Sequence, residues 1–454
     1  MESIIRLSSL KISNIKNVRT GQIVMPGVCQ KQLTYKNAEV LGLYGQNGSG
    51  KTAIIDALYY LQKVMIGGRL EKEIVDYIDV NGNQAEIAAD FNIFKEAVIY
   101  EASYKIVLQR SENGVKIVQE TLSCAVNESD TRSNKTAFMD YQCSDKKNVF
   151  VPKKRFDEVI EADAANKTDL IVARKIAEKS NCSYIFGESS REIFCRNYEN
   201  NFKHYSEVIK ALFKFALKDL FVIRNTHSGV ISANFLLPMA FKIEQSDIGM
   251  KGDFAVSLTE PVVLNEERKK ILDTIVEQIN MVLFTIIPGM KIDIHNYGMQ
   301  LTDSGEDGYR VELVSVREGM PPIPIRMESE GIIKIISILN ALVQAFGNPS
   351  ICLAIDELDS GIFEYMLGEL LDIFSKSAKG QLIFTSHNLR ALEMLDKDSI
   401  MFSTVNPDRR YIRMKNVKAS NNFRDTYLRG ITLGGQDETI YEETDSLRIA
   451  RAFR

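Results

Sequence analysis

Residues 45–52 read GQNGSGKT, with glycines at 45, 48 and 50, a lysine at 51 and a threonine at 52. Glycines at this spacing let a backbone curl around phosphate oxygens without side-chain clashes. The successive N–H groups of such a curl, and the helix N-terminus that follows it, face an anion. In this loop Gly45, Gln46, Asn47, Gly48, Ser49 and Gly50 would cradle a triphosphate. Lys51 would reach the β- and γ-phosphates, and the Thr52 hydroxyl would ligate Mg²⁺. A chance match in a chain of 454 residues has odds of about one in a hundred. An apolar run before the loop and a helical pattern after it lower those odds further.

A second constellation lies at 351–361, ICLAIDELDSG, where five apolar residues run into Asp356 and Glu357. A buried strand ending in two carboxylates can hold a magnesium ion through Asp356, beside Thr52. Glu357, one residue further, leaves the strand end in another direction and suits a general base that positions water. Taken alone, two acids ahead of a helix are also what a helix N-terminus favours. A third candidate, His387, ends the apolar run of LIFTSHNL (382–389), which starts about 25 residues after Glu357. It could hydrogen-bond a γ-phosphate, although a lone histidine is more often a polar loop residue. A fourth is the sequence ESEGIIKIISIL (328–339), in which Ser329 and Gly331 open an apolar helix. On its own that pattern is a helix cap; with a phosphate near, it is also an anion-binding end.

These residues need elements to hold them. LSSLKIS, QIVM and EVLGLYG read as strands, and residues 51–65 as a helix. QAEIAADFNIF, EAVIYEASYKIVL and VKIVQETLSCAV alternate as strands of an antiparallel sheet. From about 128 to 221 charge becomes dense and the spacing helical, with no heptad repeat long enough for a coiled-coil arm. Helices are expected at 266–284, 330–346, 361–376 and 389–395, and strands at 351–355 and 381–385, the alternation of a parallel core. A turn is expected at Gly434 and Gly435. The division that follows is 1–127 for the first part of the head, 128–229 for a mainly helical insertion, and 230–454 for the second part. The expected fold is α/β: an antiparallel β subdomain beside a parallel α/β core.

Bulk properties exclude some functions. The formal charge is −4, from 56 basic and 60 acidic residues, so no global positive field draws the chain to nucleic acid or an anionic membrane. Six cysteines (29, 124, 143, 182, 195 and 352) form no CxxC pair, which argues against a zinc site or a disulfide framework and for a reduced, cytoplasmic setting. The N-terminus lacks the pattern of a signal peptide. The longest apolar stretch, 332–346, is short for a bilayer and interrupted by polar residues.

Phosphate loop, serine–glycine helix start, Asp-Glu strand and His strand, in that order, resemble the ABC/SMC-type ATPase head. SLKISNIKNV (9–18) is similar to the opening strand of SMC and RecF-type ATPases, with Ile15 in place of the usual Phe and Lys16 in the basic position. IDELDSGIFEYMLGELL and NNFRDTYLRGITLGGQDETIYEE resemble the OLD-related, RloA-like ATPases of bacterial abortive-infection and phage-defence operons. The resemblance covers 1–65 and 325–454 and is poor between them. It implies ATP and Mg²⁺ as cofactors and a homodimer of heads, or a higher homo-oligomer, closing face to face over two ATP molecules. Ser329 and Gly331 of one head would then contact the γ-phosphate held by the other. Asp359 would belong to the loop that communicates across the dimer, and Lys16 to the nucleotide site. Glu330 departs from the family's S-G-G and puts an acid beside that site. No glutamine is assigned to a Q-loop. The residues after His387 leave no space for the nuclease domain of OLD proteins, so a separate effector, a nuclease or toxin, is the expected partner. Membrane is not expected as a partner. DNA binding of the RecF kind and an ATP-holding scaffold are the alternatives.

Overall fold

The computed structural model describes residues 3–453, apart from 31–33, 80–81, 113, 129–130, 225–235, 246–247, 258–259, 303–304, 415–422, 434–435 and 444. The turn expected at Gly434 and Gly435 lies outside these residues, as does the boundary expected at 229–230. The chain begins with β1 (Ile4–Ile15) and β2 (Val18–Val24), then β3 (Glu39–Tyr44) and helix α1 (Lys51–Met65). Next come β4 (Gln84–Lys95), β5 (Val98–Ser111), β6 (Gly114–Glu128) and β7 (Thr136–Gln142). β2-β1-β4-β5-β6 run side by side and antiparallel, with β7 added on β6. In β4, alternate residues from Ala85 to Ile93 are buried, the period that a sheet with one covered face requires.

Helices α2 (Lys153–Ala162), α3 (Asn166–Ser180), α4 (Glu188–Phe194) and α5 (Phe202–Lys214) follow. The stretch expected to be helical also carries strands: the two-residue strand Thr131–Arg132, β7, and β8 (Leu220–Ile223). The helical spacing of the sequence around 202–221 breaks at a π-turn over Phe215–Asp219. The next four residues, LFVI, pair in parallel with a central strand. A short apolar run does not distinguish strand from buried helix by periodicity, and the tertiary slot decides.

The second half contains α6 (Glu266–Ile286), the pair β9 (Met290–Leu301) and β10 (Asp307–Arg317), and α7 (Glu330–Gly347). β11 (Cys352–Ile355), α8 (Glu364–Ser377), β12 (Gln381–Thr385), β13 (Ile400–Ser403) and β14 (Tyr411–Ile412) complete the core. α9 (Phe423–Leu433) and α10 (Ser446–Ala452) come last. The core sheet has the order β14-β13-β3-β12-β11-β8, parallel except for β14. Its strands are buried on both faces, as parallel strands are. α7 is apolar and long enough to cross a membrane, but two-thirds of it is buried within the molecule, as in a core helix.

One buried side chain ties the two sheets together. Gln381 is fully buried at the start of β12. Its Oε1 accepts from Leu7 N and its Nε2 donates to Leu7 O, both at 2.8 Å. The register of β1 against β4 shifts between Leu7 and Ser9, where this pair of bonds takes up the strand's edge. A buried amide with both ends satisfied fixes the relative placement of two layers far better than apolar contact alone.

Candidate functional site

β3, β12 and β11 are neighbours in the core sheet, so their C-terminal ends meet in one place. Tyr44 ends β3, Thr385 ends β12, and Asp356 follows β11. The loop after β3 turns on Gly45, Gly48 and Gly50, at φ of 149°, 76° and 87°. Gly45 is required on a second count: a Cβ there would stand 2.0 Å from the Ser403 hydroxyl. Ser49 braces the turn, with its N and Oγ donating to Gln46 O at 3.2 and 2.6 Å.

Lys51 is buried, and its Nζ donates to Gly45 O at 2.8 Å and Gln46 O at 3.0 Å. Burial pulls its pKa down to about 8, against the pull of Asp356, Glu357 and Asp359. The ammonium thus curls onto the loop's own carbonyls, with three carboxylates near, an arrangement that a triphosphate can take over.

Asp356 is 1% exposed. Its Oδ1 accepts from Thr385 Oγ1 at 2.6 Å and from Thr52 Oγ1 at 3.3 Å. Its Oδ2 is buried without a partner. A buried carboxylate oxygen beside a threonine hydroxyl fits a hard cation whose remaining ligands are phosphate and water. Among the described residues no group of three His, Cys, Asp or Glu forms a metal cage. Glu357 takes φ 49°, a left-handed backbone unusual for its type. Its N–H donates to Thr385 Oγ1 at 2.7 Å and its carbonyl accepts from Lys334 Nζ.

His387 stands exposed after β12. Its backbone N–H and that of Asn388 both donate to Asp359 Oδ2 at 2.9 Å. Partial desolvation by its surroundings and then the Lys51 charge lower the pKa of its imidazole, which favours the neutral form. Ser329 caps α7, accepting from Ile332 N at 3.4 Å. Gly331 lies against Gly361 of the Asp359 loop, where an added Cβ would come 1.8 Å from Gly361 O. Gly331→Ala is therefore expected to cost about 1–3 kcal/mol of stability through overpacking, read as a lower urea midpoint. An unmoved midpoint would show that the loop yields without cost.

The structure thus brings Lys51, Thr52, Asp356, Glu357, Asp359 and His387 into one cluster. Ser329 and Gly331 adjoin it through Gly361, and neither shares a hydrogen bond with the phosphate loop among the described residues. Lys16, at φ 52° in the β1–β2 turn, pairs with buried Asp56 of α1, one turn after Thr52, and lies 4.6 Å from the Tyr77 ring. Its neighbour Asn17 donates to Gly48 O of the phosphate loop. Sequence reasoning missed Thr385 as the hub between Asp356 and Glu357. It also missed Lys334, whose one signal is a cation in the midst of IIKIIS.

A strand–loop–helix phosphate cradle facing an Asp-Glu strand end defines a P-loop ATPase. Residues 6–390 match the family model of the AAA ATPase domain, and the chain belongs to that family. A comparison with curated proteins finds no match. Among solved structures it is similar to an SMC head bound to the C-winged helix domain of ScpA, with 14% identity, TM-score 0.42, and 91% of this chain and 98% of that one covered. An SMC head domain from Thermotoga maritima is similar at 14% identity and TM-score 0.35, covering 90% and 99%. RecF bound to ATP is similar at 12% identity and TM-score 0.33, covering 85% and 94%.

Proposed function

We propose that this ATPase is the ATP-binding and hydrolysing component of a bacterial anti-phage, abortive-infection system, in which ATP-driven pairing of two heads controls a separate effector such as a nuclease or toxin. The observation that carries the ATPase chemistry is the meeting of Thr52 with Asp356, whose second oxygen is left without a partner. Thr52 and Asp356 would hold Mg²⁺, which when bound neutralises charge between the β- and γ-phosphates. Lys51 binds those phosphates. Glu357 orients and deprotonates the attacking water, held in place by Thr385 and Lys334. Neutral His387 hydrogen-bonds the γ-phosphate and, through Asp359, reports its presence to the loop on which Gly331 rests. Ser329 and Glu330 are exposed at the N-terminus of α7, which supports a role for that end in meeting a second head. The soluble, cytoplasmic setting and the defence role rest on the composition and on the resemblance of 355–371 and 421–443.

Purification from the native operon tests this reading. The chain is expected to be recovered with a second gene product, and Lys51→Ala to abolish phage resistance. Recovery always alone, with resistance intact in that variant, refutes it. A second reading, an ATP-bound scaffold with little turnover, is favoured by Glu330, an acid in the first turn of α7 where the ABC/SMC signature that the sequence resembles carries glycine. It predicts tight ATP binding with negligible phosphate release. RecF-like DNA repair predicts steep, salt-dependent DNA affinity.

A further inference from the structure

The chain beyond residue 390, where the family match ends, returns to the phosphate loop at three points. Ser403, the last residue of β13, shares a hydrogen bond with Ser49 and donates to Tyr44 O at 3.0 Å. The Tyr411 hydroxyl donates to Gly50 O at 2.6 Å. Further on, Glu442 N donates to Gln46 Oε1 at 3.0 Å, and Gln46 Nε2 donates to Glu442 O at 3.2 Å. The first two contacts are part of the packed core. The third is different: a glutamine in an exposed loop is held at both ends of its amide by the backbone of a distant segment.

That segment, residues 436–443, is anchored independently of Gln46. Val405 N donates to Thr439 O at 2.8 Å, and Asn406 Nδ2 to Glu438 Oε2 at 3.0 Å. Ile440 is 3% exposed, packed in the core that also holds Met414 and Tyr427. The amide pair is therefore not needed to secure the segment. Its effect falls on the loop. Gln46 is the residue whose carbonyl takes Lys51 Nζ at 3.0 Å and both donors of Ser49. Fixing its side chain fixes the peptide that sets where Lys51 and the loop N–H groups point. Pre-aimed donors bind an anion more tightly because ordering is not demanded at the moment of binding.

We propose that residues 436–443 form a strap that positions the phosphate loop for ATP, and that Gln46 is the positioning residue through which it acts. The proposal rests on the reading of this loop as the ATP site. The test compares the full-length wild type with Gln46→Ala, Glu442→Pro and the double variant, by calorimetric titration with MgATP. Proline removes the N–H that Gln46 accepts. Each single variant is expected to raise the Kd about tenfold, equivalent to about 1.4 kcal/mol. The double variant is also expected near tenfold, because one shared contact is lost only once. The nucleotide-free unfolding midpoint should not move. A hundredfold loss in the double variant, or an unchanged Kd in Glu442→Pro, overturns the proposal. Should Glu442→Pro unfold early, Gln46→Leu decides, since it keeps the bulk and loses both bonds: a Kd within twofold of wild type overturns the strap. Binding by wild type but not by Lys51→Ala, with wild-type affinity in every Gln46 variant, removes the strap and leaves the ATP site standing. A wild type that ignores ATP removes both.

Discussion

Lys51→Ala should lower ATP affinity by at least about 100-fold, or roughly 3 kcal/mol, while the nucleotide-free protein stays folded. The lost interactions are charge-assisted bonds to phosphate, the strong kind. The apo protein loses two bonds to loop carbonyls but also sheds a buried cation, so the two effects on folding oppose each other. The depressed pKa sharpens the expectation. Burial takes the Lys51 ammonium from 10.5 down to about 8. Between those values the unfolded chain binds more protons at this group than the folded one, so its contribution to apo stability rises with pH across that window. Phosphate binding has the opposite preference, because it needs the charged form. Above pH 8, ATP binding should therefore take up a proton at Lys51, seen as a buffer-dependent binding enthalpy. Lys51→Ala should remove that dependence. ATP affinity equal to that of wild type in this variant would sink the site.

The parts of the site that lie within single motifs were legible, and those that depend on packing between distant segments were not. The phosphate loop announces itself because glycine spacing, lysine and hydroxyl are all demanded by one ligand. α1 was expected over 51–65 and spans Lys51–Met65, since a helix must leave the loop for its amides to face phosphate. The parallel core was legible from strand–helix alternation, and β12 fell where a neighbour of β11 should fall. β8 was not, because four apolar residues after a helix carry no period. The Asn17 contact shows the same limit: its amide donates to Gly48 O from the turn after β1, while Lys16 beside it pairs with Asp56, and no side-chain pattern distinguishes the two. The strap was invisible for a further reason: its bonds to Gln46 come from the Glu442 backbone, which no side-chain pattern reports.

Glu357→Gln should reduce turnover by about 10²–10⁴-fold and leave ATP binding at pH 7 within about twofold of wild type. The backbone geometry is why the two effects separate. The left-handed conformation at Glu357 is held by its N–H on Thr385 Oγ1, its carbonyl on Lys334, and Leu358 N on Thr385 O at 3.0 Å. None of these bonds uses the side chain, so glutamine can occupy the same place with the same shape. What it lacks is the charge to orient and deprotonate water. Binding rests instead on Lys51, Thr52 and Asp356, which the substitution does not touch. With hydrolysis blocked and binding retained, the ATP-bound pair of heads should accumulate, measurable as a dimer by light scattering with MgATP and absent with MgADP. One electrostatic effect should accompany this. Glu357 helps keep Lys51 charged, so its neutralisation should move the apo Lys51 pKa further below about 8 and bring proton uptake on binding to lower pH. Phosphate release at the wild-type rate in Glu357→Gln would remove Glu357 from the chemistry. Release that is negligible in both proteins, with tight ATP binding in both, would favour the scaffold reading over the hydrolytic one.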